Sequence, residues 1–236
     1  MKMIFAGPSL HGANVLPGAG CEFRPPARQG DLYGAIKDGA NVIGLIDGIY
    51  EYVPAIWHKE ILFGLSQGVH MLGAASMGAL RAAECAAFGM IGVGEIYSAF
   101  ASGLFEDDSD VAQAHAPAEL NFLPLSEPLV NVRVTISRCL ELSEITDSEH
   151  DRLQHAAKRI FFKDRTYRSV VGSAIRDPDR ARTVLASLRE NKINLKLNDA
   201  LMLIEAVIGM PDRRFVAEFN WKFEATDFWN SVFSPS

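Results

Sequence analysis

One serine stands out as a candidate nucleophile, in the segment Gly73-Ala74-Ala75-Ser76-Met77-Gly78-Ala79. A short apolar run precedes it, a helix-forming run follows it, and a small residue stands two positions to either side. This spacing is typical of a nucleophile elbow, a tight strand-to-helix turn that exposes a serine hydroxyl. The N–H of Met77, at the helix N-terminus, could then stabilise an oxyanion. Because serine is also a common helix N-cap, roles as a cap or ligand anchor stay open.

A serine nucleophile needs a base to remove its proton, and two histidines are candidates. His58, in Trp57-His58-Lys59-Glu60, lies early in the helix predicted after the second strand, near the sheet edge where open α/β folds bind ligands. His115 follows an acidic turn and is the alternative base. Asp47 ends the second strand, where a carboxylate can orient a histidine or a substrate amine. We therefore predict that Ser76, His58 and Asp47 are catalytic.

The loop after the first predicted strand should reach the same edge of the sheet. This loop has the sequence Gly7-Pro8-Ser9. Since the carboxyl ends of parallel strands meet at one edge, we expect Ser9, Asp47, His58 and Ser76 to share one pocket.

Arg81 is a candidate for binding an anionic substrate. It follows Ser76 by five residues and precedes Glu84 by three. It could form a local ion pair of small value with Glu84, or its guanidinium could clamp the substrate. The substrate-binding residues predicted from the sequence are Gly7, Pro8, Ser9, Met77, Arg81 and His115.

The elements that must position these residues alternate along the first half of the chain. Apolar runs predict strands over residues 3–6, 41–46 and 69–75, and helix signals predict helices over 31–38, 54–67 and 77–88. This order requires crossover helices and predicts a parallel, Rossmann-like sheet.

Glycine and charge divide the chain into two predicted domains. Of the 19 glycines, 17 lie before residue 104, as suits tight strand–helix turns, and the glycine-poor remainder suits helices. Residues 1–118 carry 6 basic and 12 acidic groups, whereas residues 119–236 carry 17 of each. We predict an α/β core domain over residues 1–125 and a helical region over residues 126–236.

The overall composition excludes several classes of protein. An apolar fraction of 48% and a charged fraction of 22% are ordinary for a globular protein and exclude disorder or a collagen-like repeat as the main architecture. A net charge of −6 gives the chain as a whole no reason to bind nucleic acid or anionic lipid. The most apolar stretch, residues 71–94, is interrupted by Arg81 and Glu84, so no membrane span is predicted.

The three cysteines indicate a reducing compartment. Cys21, Cys85 and Cys139 lie far apart, with no CxxC pair and no metal-ligand spacing. An odd, sparse set fits the cytoplasm better than a disulfide framework. We expect a cytoplasmic protein with no metal and no cofactor of its own.

One segment of the second half is strongly basic. Residues 158–192 contain ten basic and four acidic residues, including Arg165, Arg168 and Arg176. The segment could be a solvated helical face or a docking patch for an acidic protein partner.

Across most of its length the chain resembles the TfuA-like family. The stretches that carry the resemblance are Phe5-Ala6-Gly7-Pro8-Ser9, Arg24-Pro25-Pro26-Ala27 with Gly30-Asp31, Ile43-Gly44-Leu45-Ile46-Asp47-Gly48, Trp57-His58-Lys59-Glu60-Ile61-Leu62, residues 73–84 and Ser126-Glu127-Pro128-Leu129-Val130-Asn131.

The resemblance implies an accessory partner of YcaO enzymes, which use ATP to activate peptide backbone amides. The implied product is a thioamide in a ribosomally made peptide or protein. The implied sulfur source is sulfide or a small, ThiS-like sulfur-carrier protein that bears a thiocarboxylate. Ser76 would attack that thiocarboxylate, with the oxyanion held by the N–H of Met77, and sulfide would leave toward the YcaO site. The alternative is an adaptor without catalysis that activates YcaO or positions the carrier.

Overall fold

A parallel sheet forms the centre of the α/β part of the protein. The computed structural model describes residues 1–13, 20–49, 51 and 53–233. Within these residues five strands pair in the order β2-β1-β3-β4-β5, every neighbouring pair parallel. The strands are β1 Lys2–Phe5, β2 Glu22–Arg24, β3 Val42–Leu45, β4 His70–Gly73 and β5 Ile91–Gly92. The predicted α/β fold with a parallel, Rossmann-like sheet is confirmed.

The strand order creates a switch point between β1 and β3. The chain leaves β1 for β2 on one side and then crosses to β3 on the other side. Open α/β sheets of this order bind ligands where neighbouring connections diverge, at the carboxyl ends of those strands. The helices of this part that follow the strands are α1 Asp31–Lys37, α2 His58–Ser66, α3 Met77–Cys85 and α4 Gly94–Ala101.

Both faces of the sheet are covered by apolar side chains. Met3 and Phe5 of β1 belong to one buried cluster, which includes side chains of α1, α2 and α3. Ile4 belongs to a second cluster, which includes Val207 of α9 (Leu195–Gly209). Alternate residues of β1 thus face opposite layers, as the two-residue period of a strand requires.

The described residues form two compact units. Unit 1 is Met1–Leu104 with Leu197–Ser236, and unit 2 is Phe105–Lys196. This division differs from the predicted boundary at residue 125, because most of α9 and the aromatic segment after it belong with the sheet. Phe215, Phe219 and Trp221 of that segment pack against the cluster around Met3, and the segment ends in α10 Asp227–Phe233.

Unit 2 consists of four helices around a core of its own. The helices are α5 Leu129–Glu141, α6 Asp147–Arg159, α7 Tyr167–Ala174 and α8 Pro178–Glu190. Side-chain N-caps fix where three of them begin, because Thr146, Thr166 and Asp177 each accept a backbone N–H of the first turn. The buried cluster of this unit includes Leu153 of α6 and Val184 of α8.

The segment around His115 and the character of the helices complete the description of the fold. Residues 111–116 form no strand, and their one ladder contact is an isolated bridge between His115 and Pro124. Among the residues that the structure describes, no helix has the length and apolar character needed to cross a membrane.

Candidate functional site

The loop after β1 is pinned to Asp47 at the switch point. One carboxylate oxygen of Asp47 accepts the N–H groups of Gly7 (2.9 Å) and Ser9 (3.0 Å), and the other accepts the Ser9 hydroxyl (2.7 Å). Asp47 is only 2% exposed. Three hydrogen bonds compensate for burying its charge. Asp47 therefore holds the Gly7-Pro8-Ser9 loop against the end of β3.

The chain makes a strained turn between β4 and α3. Ala75 has φ +67°, a value that residues other than glycine adopt rarely. The N–H of Ser76 donates to the carbonyl oxygen of Ala74 at 2.7 Å, which closes a three-residue γ-turn. A γ-turn with positive φ is the rarer and more strained form. The backbone thus reverses within three residues and places Ser76 directly before the first residue of α3.

Two glycines allow this turn to pack against the neighbouring strand. A Cβ on Gly78 would lie 1.8 Å from the carbonyl oxygen of Leu45, and a Cβ on Gly73 would lie 2.1 Å from the carbonyl oxygen of Gly78. These contacts are with backbone atoms, which cannot move aside as a side chain can. The N–H of Gly78 also donates to the carbonyl oxygen of Ile46 at 3.1 Å. The first turn of α3 is therefore fixed against the end of β3.

The Ser76 hydroxyl and the Met77 N–H lack partners in the described part of the protein. The Ser76 side chain does not cap α3, and no hydrogen bond of its hydroxyl is found among the described residues. The N–H of Met77 has no acceptor there either, whereas the next N–H is used by Ile46. Ser76 is partly exposed. An unengaged hydroxyl beside an unengaged N–H, at the positive end of a nine-residue helix, can attack a carbonyl and stabilise the resulting oxyanion.

His58 is held by a carboxylate from a different helix. Its Nε2 lies 2.8 Å from Oε2 of Glu84, and the same oxygen accepts Nη1 of Arg81 at 2.6 Å. His58 begins α2 and the other two residues lie on α3. Glu84 thus does for His58 what the sequence assigned to Asp47, since no hydrogen bond joins Asp47 to His58 in the described residues.

Burial and the neighbouring charged groups shift the pKa of Glu84 in opposite directions. Burial works to raise the pKa of its carboxyl group, but the hydrogen bonds from His58 and Arg81 outweigh burial, so the pKa lies below its ordinary value. The Arg81 side chain is 13% exposed, and its Nε is buried without a hydrogen-bond partner in the described residues. One guanidinium N–H of Arg81 therefore remains unsatisfied by the protein.

The predicted site residues fall into connected groups. The Asp47 loop and the Ser76 turn are neighbours, because a Cβ on Gly48 would lie 2.4 Å from Sδ of Met77. Ser76 and Glu84 lie at opposite ends of α3, roughly 12 Å apart along the helix axis. The Cα of Glu84, whose carboxylate contacts His58, therefore lies about two helical turns beyond Ser76.

His115, the alternative base, belongs to unit 2. Its Nδ1 lies 2.8 Å from the carbonyl oxygen of Ala116, and its ring packs edge-on against Phe122 at 5.7 Å between centroids. These contacts orient the imidazole within its own segment.

Two contributions to the site were missed in the sequence. The first is Glu84 as the partner of His58, because residues 26 positions apart meet only once α2 and α3 pack together. The second is the strain at Ala75, for which the run of small residues around Ser76 was an indirect signal. No group of histidine, cysteine and acidic residues able to hold a metal ion occurs in the described residues.

Comparison with known proteins identifies a family for this chain. No curated protein matches the chain. Residues 47–166, just over half of the chain, match the family model described as TfuA-like protein. The matched region includes Asp47, His58, Ser76 and His115. This family is associated with YcaO systems, which suggests an accessory role in such a pathway. With more than half of its length matched, the chain belongs to the TfuA-like family.

Proposed function

We propose that this protein serves YcaO-dependent thioamidation of peptide backbones by hydrolysing a thiocarboxylated sulfur-carrier protein of the ThiS-like type. The sulfide that is released would be consumed at the YcaO site. The observation that carries this function is the Ser76 hydroxyl, which follows a strained turn, makes no hydrogen bond in the described residues and lies beside the unengaged N–H of Met77.

The proposed reaction has two steps, the acylation of Ser76 and the hydrolysis of the acyl-serine. The Ser76 oxygen attacks the carbonyl carbon of the thiocarboxylate, and the base takes its proton. The C–S bond then breaks as that proton passes to the leaving sulfur, which gives an acyl-serine and hydrosulfide. Water then attacks the acyl-serine and regenerates the serine and a carboxylate. In sum, a thiocarboxylate and water give a carboxylate, hydrosulfide and a proton.

The residues around Ser76 have separate roles in these steps. The N–H of Met77 would donate to the oxyanion of each tetrahedral intermediate. The Gly7-Pro8-Ser9 loop, fixed by Asp47, would form the wall against which the carrier's C-terminal tail lies. The guanidinium of Arg81, held by Glu84, would supply positive charge toward the negatively charged thiocarboxylate.

His58 is the proposed base, with His115 as the alternative. Glu84 engages Nε2 of His58, so Nδ1 is the nitrogen left to accept a proton from Ser76 or from the attacking water. Since the Glu84 Cα is about two turns from Ser76, this transfer would pass through a bound water or follow closure around the carrier tail.

Sulfide release tests the proposal directly. The purified protein is mixed with a thiocarboxylated carrier, and sulfide is measured in a single turnover. Replacing Ser76→Ala should slow release by about a thousandfold or more, because the nucleophile is lost. Ser98→Ala is the matched control, since Ser98 is exposed on α4 and its hydroxyl donates only to the Gly94 carbonyl at 3.0 Å. Release at the wild-type rate by the Ser76→Ala protein would contradict the catalytic role.

The second candidate function is a non-catalytic adaptor that binds YcaO and activates it or positions the carrier. What favours it is that no hydrogen bond joins Ser76 to a histidine among the described residues and that Asp47 is engaged by a loop. The two functions separate when free sulfide is supplied to the YcaO reaction. A sulfide-delivering enzyme then becomes dispensable, whereas an adaptor is still required and works equally well as Ser76→Ala.

A further inference from the structure

Unit 2 contains a groove with a basic rim and an apolar floor. The groove has a volume of about 890 Å³ and is bordered by one face of α6 and by the end of α7. Arg152, His155, Ala156 and Arg159 recur at the spacing that places helix residues on one face. Ala174 and Arg176 face them from α7 and the residues after it.

Three cations of the basic segment 158–192 are engaged within the protein. Arg165 is 2% exposed and donates to the carbonyl oxygens of Ala157 (3.0 Å) and Ile160 (3.1 Å), so the predicted patch loses this member. Arg180 is paired with Glu149, and Lys192 is paired with Glu127.

The groove collects arginines that remain available. Arg159 and Arg176 are exposed and make no hydrogen bond or ion pair in the described residues. Arg152 donates to the carbonyl oxygen of Ala174 at 3.2 Å and to the Ser148 hydroxyl, which ties α6 to the end of α7 and fixes one wall. The lining thus contains three arginines and one carboxylate, that of Asp151. This carboxylate is contacted by Nδ1 of His150 at 3.1 Å.

We propose that this groove docks an extended, acidic segment of a partner protein. The Cα atoms of Arg152 and Arg159 are separated by roughly 10 Å of helix rise, about the length of three residues of extended chain. Carboxylates on alternate residues of such a segment would meet successive guanidinium groups, and apolar residues between them would cover Ala156, Ile160 and Ala174.

The lining favours a peptide over a nucleotide. None of the lining residues is phenylalanine, tyrosine or tryptophan, so the imidazole of His155 is the one lining ring on which a base could stack. Its apolar floor is also better suited to apolar side chains than to a polyphosphate, since phosphates present no apolar surface. The proposal does not depend on hydrolysis at Ser76, because every lining residue belongs to unit 2.

Fluorescence anisotropy with a synthetic peptide tests the groove. The probe is a labelled eight-residue peptide of alternating glutamate and leucine, and the comparison peptide has glutamine in place of glutamate. The full-length protein should bind the acidic probe. Its affinity should fall as salt is raised above the physiological concentration, because the Debye length then drops below roughly 8 Å. The double variant Arg159→Gln with Arg176→Gln should weaken binding by more than about tenfold, because two charge-assisted contacts are lost.

The control variant is Arg168→Gln with Arg189→Gln, which removes the same charge from exposed positions outside the groove. It should bind the probe within about twofold of the wild type. Both variants should keep the thermal midpoint of the wild type, since none of the four side chains has a partner in the described residues.

Three results would overturn the proposal. They are absence of binding to the acidic probe, equal loss in the two double variants, and displacement of the probe by an equimolar amount of inorganic tripolyphosphate. The second result would mean general charge attraction, and the third would mean a site for small polyanions.

Discussion

Two loops at the same edge of the sheet differ in whether their polar groups are hydrogen-bonded. After β1 and β3, both carboxylate oxygens of Asp47 are used, and the Ser9 hydroxyl is used with them. After β4, the Ser76 hydroxyl and the Met77 N–H have no partner in the described residues, and Ala75 carries backbone strain. Saturated hydrogen bonds are characteristic of a structural support, whereas strain and unused polar groups cluster at sites of chemistry. Position at a strand end alone does not separate the two roles.

The largest expected effect tests the packing that holds the Ser76 turn. Gly78→Ala would place a Cβ 1.8 Å from the carbonyl oxygen of Leu45, so α3 would have to move away from β3. We expect a loss of about 3 kcal/mol in the free energy of unfolding, measured with urea. The control is Gly172→Ala on α7, where the added Cβ meets no atom within 4 Å. That change should leave stability equal or raise it by up to about 1 kcal/mol.

The second prediction compares the two loops through stability. Asp47→Ala leaves the part-buried N–H of Gly7 and the buried N–H of Ser9 without their acceptor, which should cost about 2 to 3 kcal/mol of unfolding free energy. Ser76→Ala removes no hydrogen bond of the described structure and should change stability by less than about 0.5 kcal/mol. Equal losses in urea titrations would mean that Ser76 is a structural cap, and the contrast between the loops would disappear.

The third prediction compares the acid response of individual carboxyl groups. In unit 2, the hydrogen bond from Arg180 lowers the pKa of Glu149 from 4.5 to about 2. A carboxyl group with a lowered folded-state pKa stabilises the protein above its unfolded pKa, and this stabilisation is lost as pH falls from about 4.5 to about 2. In unit 1, burial raises the pKa of Glu60 and Asp199, so acid removes no such contribution from these two groups, whereas Glu84, whose pKa is lowered, loses one.

The variant Glu149→Gln isolates this contribution. It should lower the unfolding free energy at pH 7 by about 2 kcal/mol, and the difference from the wild type should shrink toward pH 2. Glu141→Gln is the control, because Glu141 is exposed and, in the part of the chain that the structure describes, pairs only with exposed Arg138. A wild-type stability that stays constant between pH 5 and pH 2, relative to Glu149→Gln, would contradict the lowered pKa.

The smallest predicted effect concerns the positioning of His58. Glu84→Gln removes the charge that holds the imidazole, and we expect kcat for sulfide release to fall by about tenfold with KM unchanged. Stability should change by less than about 0.5 kcal/mol, because both side chains are partly exposed. An unchanged kcat would remove His58 and Glu84 from the reaction and favour His115.

The sequence predicted the elements better than the contacts between them. Apolar runs located β1, β3 and β4, because strands buried on both faces are strongly apolar. The strands β2 and β5, with three and two residues, are too short to show a pattern. Helix α2 begins at His58 and not at residue 54, although a proline at the first turn is a usual start signal.

The limits of sequence-based prediction at the candidate site have one physical origin. Asp47, His58 and Ser76 could each be placed near one edge from strand ends, but hydrogen-bond partners depend on side-chain directions that a linear pattern does not contain. Glu84 was interpretable as the partner of Arg81 three residues away on one helix, whereas its contact with His58 needs the packing of two helices. In the same way, charge counting could not tell buried Arg165 from exposed Arg176.

The reactivity of Ser76 toward a fluorophosphonate probe tests the central claim most directly. Such probes form a stable bond with activated serines, and mass spectrometry of the digested protein identifies the modified residue. If Ser76 is an activated nucleophile, the peptide that contains it should carry one probe, and both Ser76→Ala and a thiocarboxylated carrier in excess should abolish the label. A protein that stays unlabelled, or that is labelled on another serine at the same rate with and without Ser76, would contradict the account.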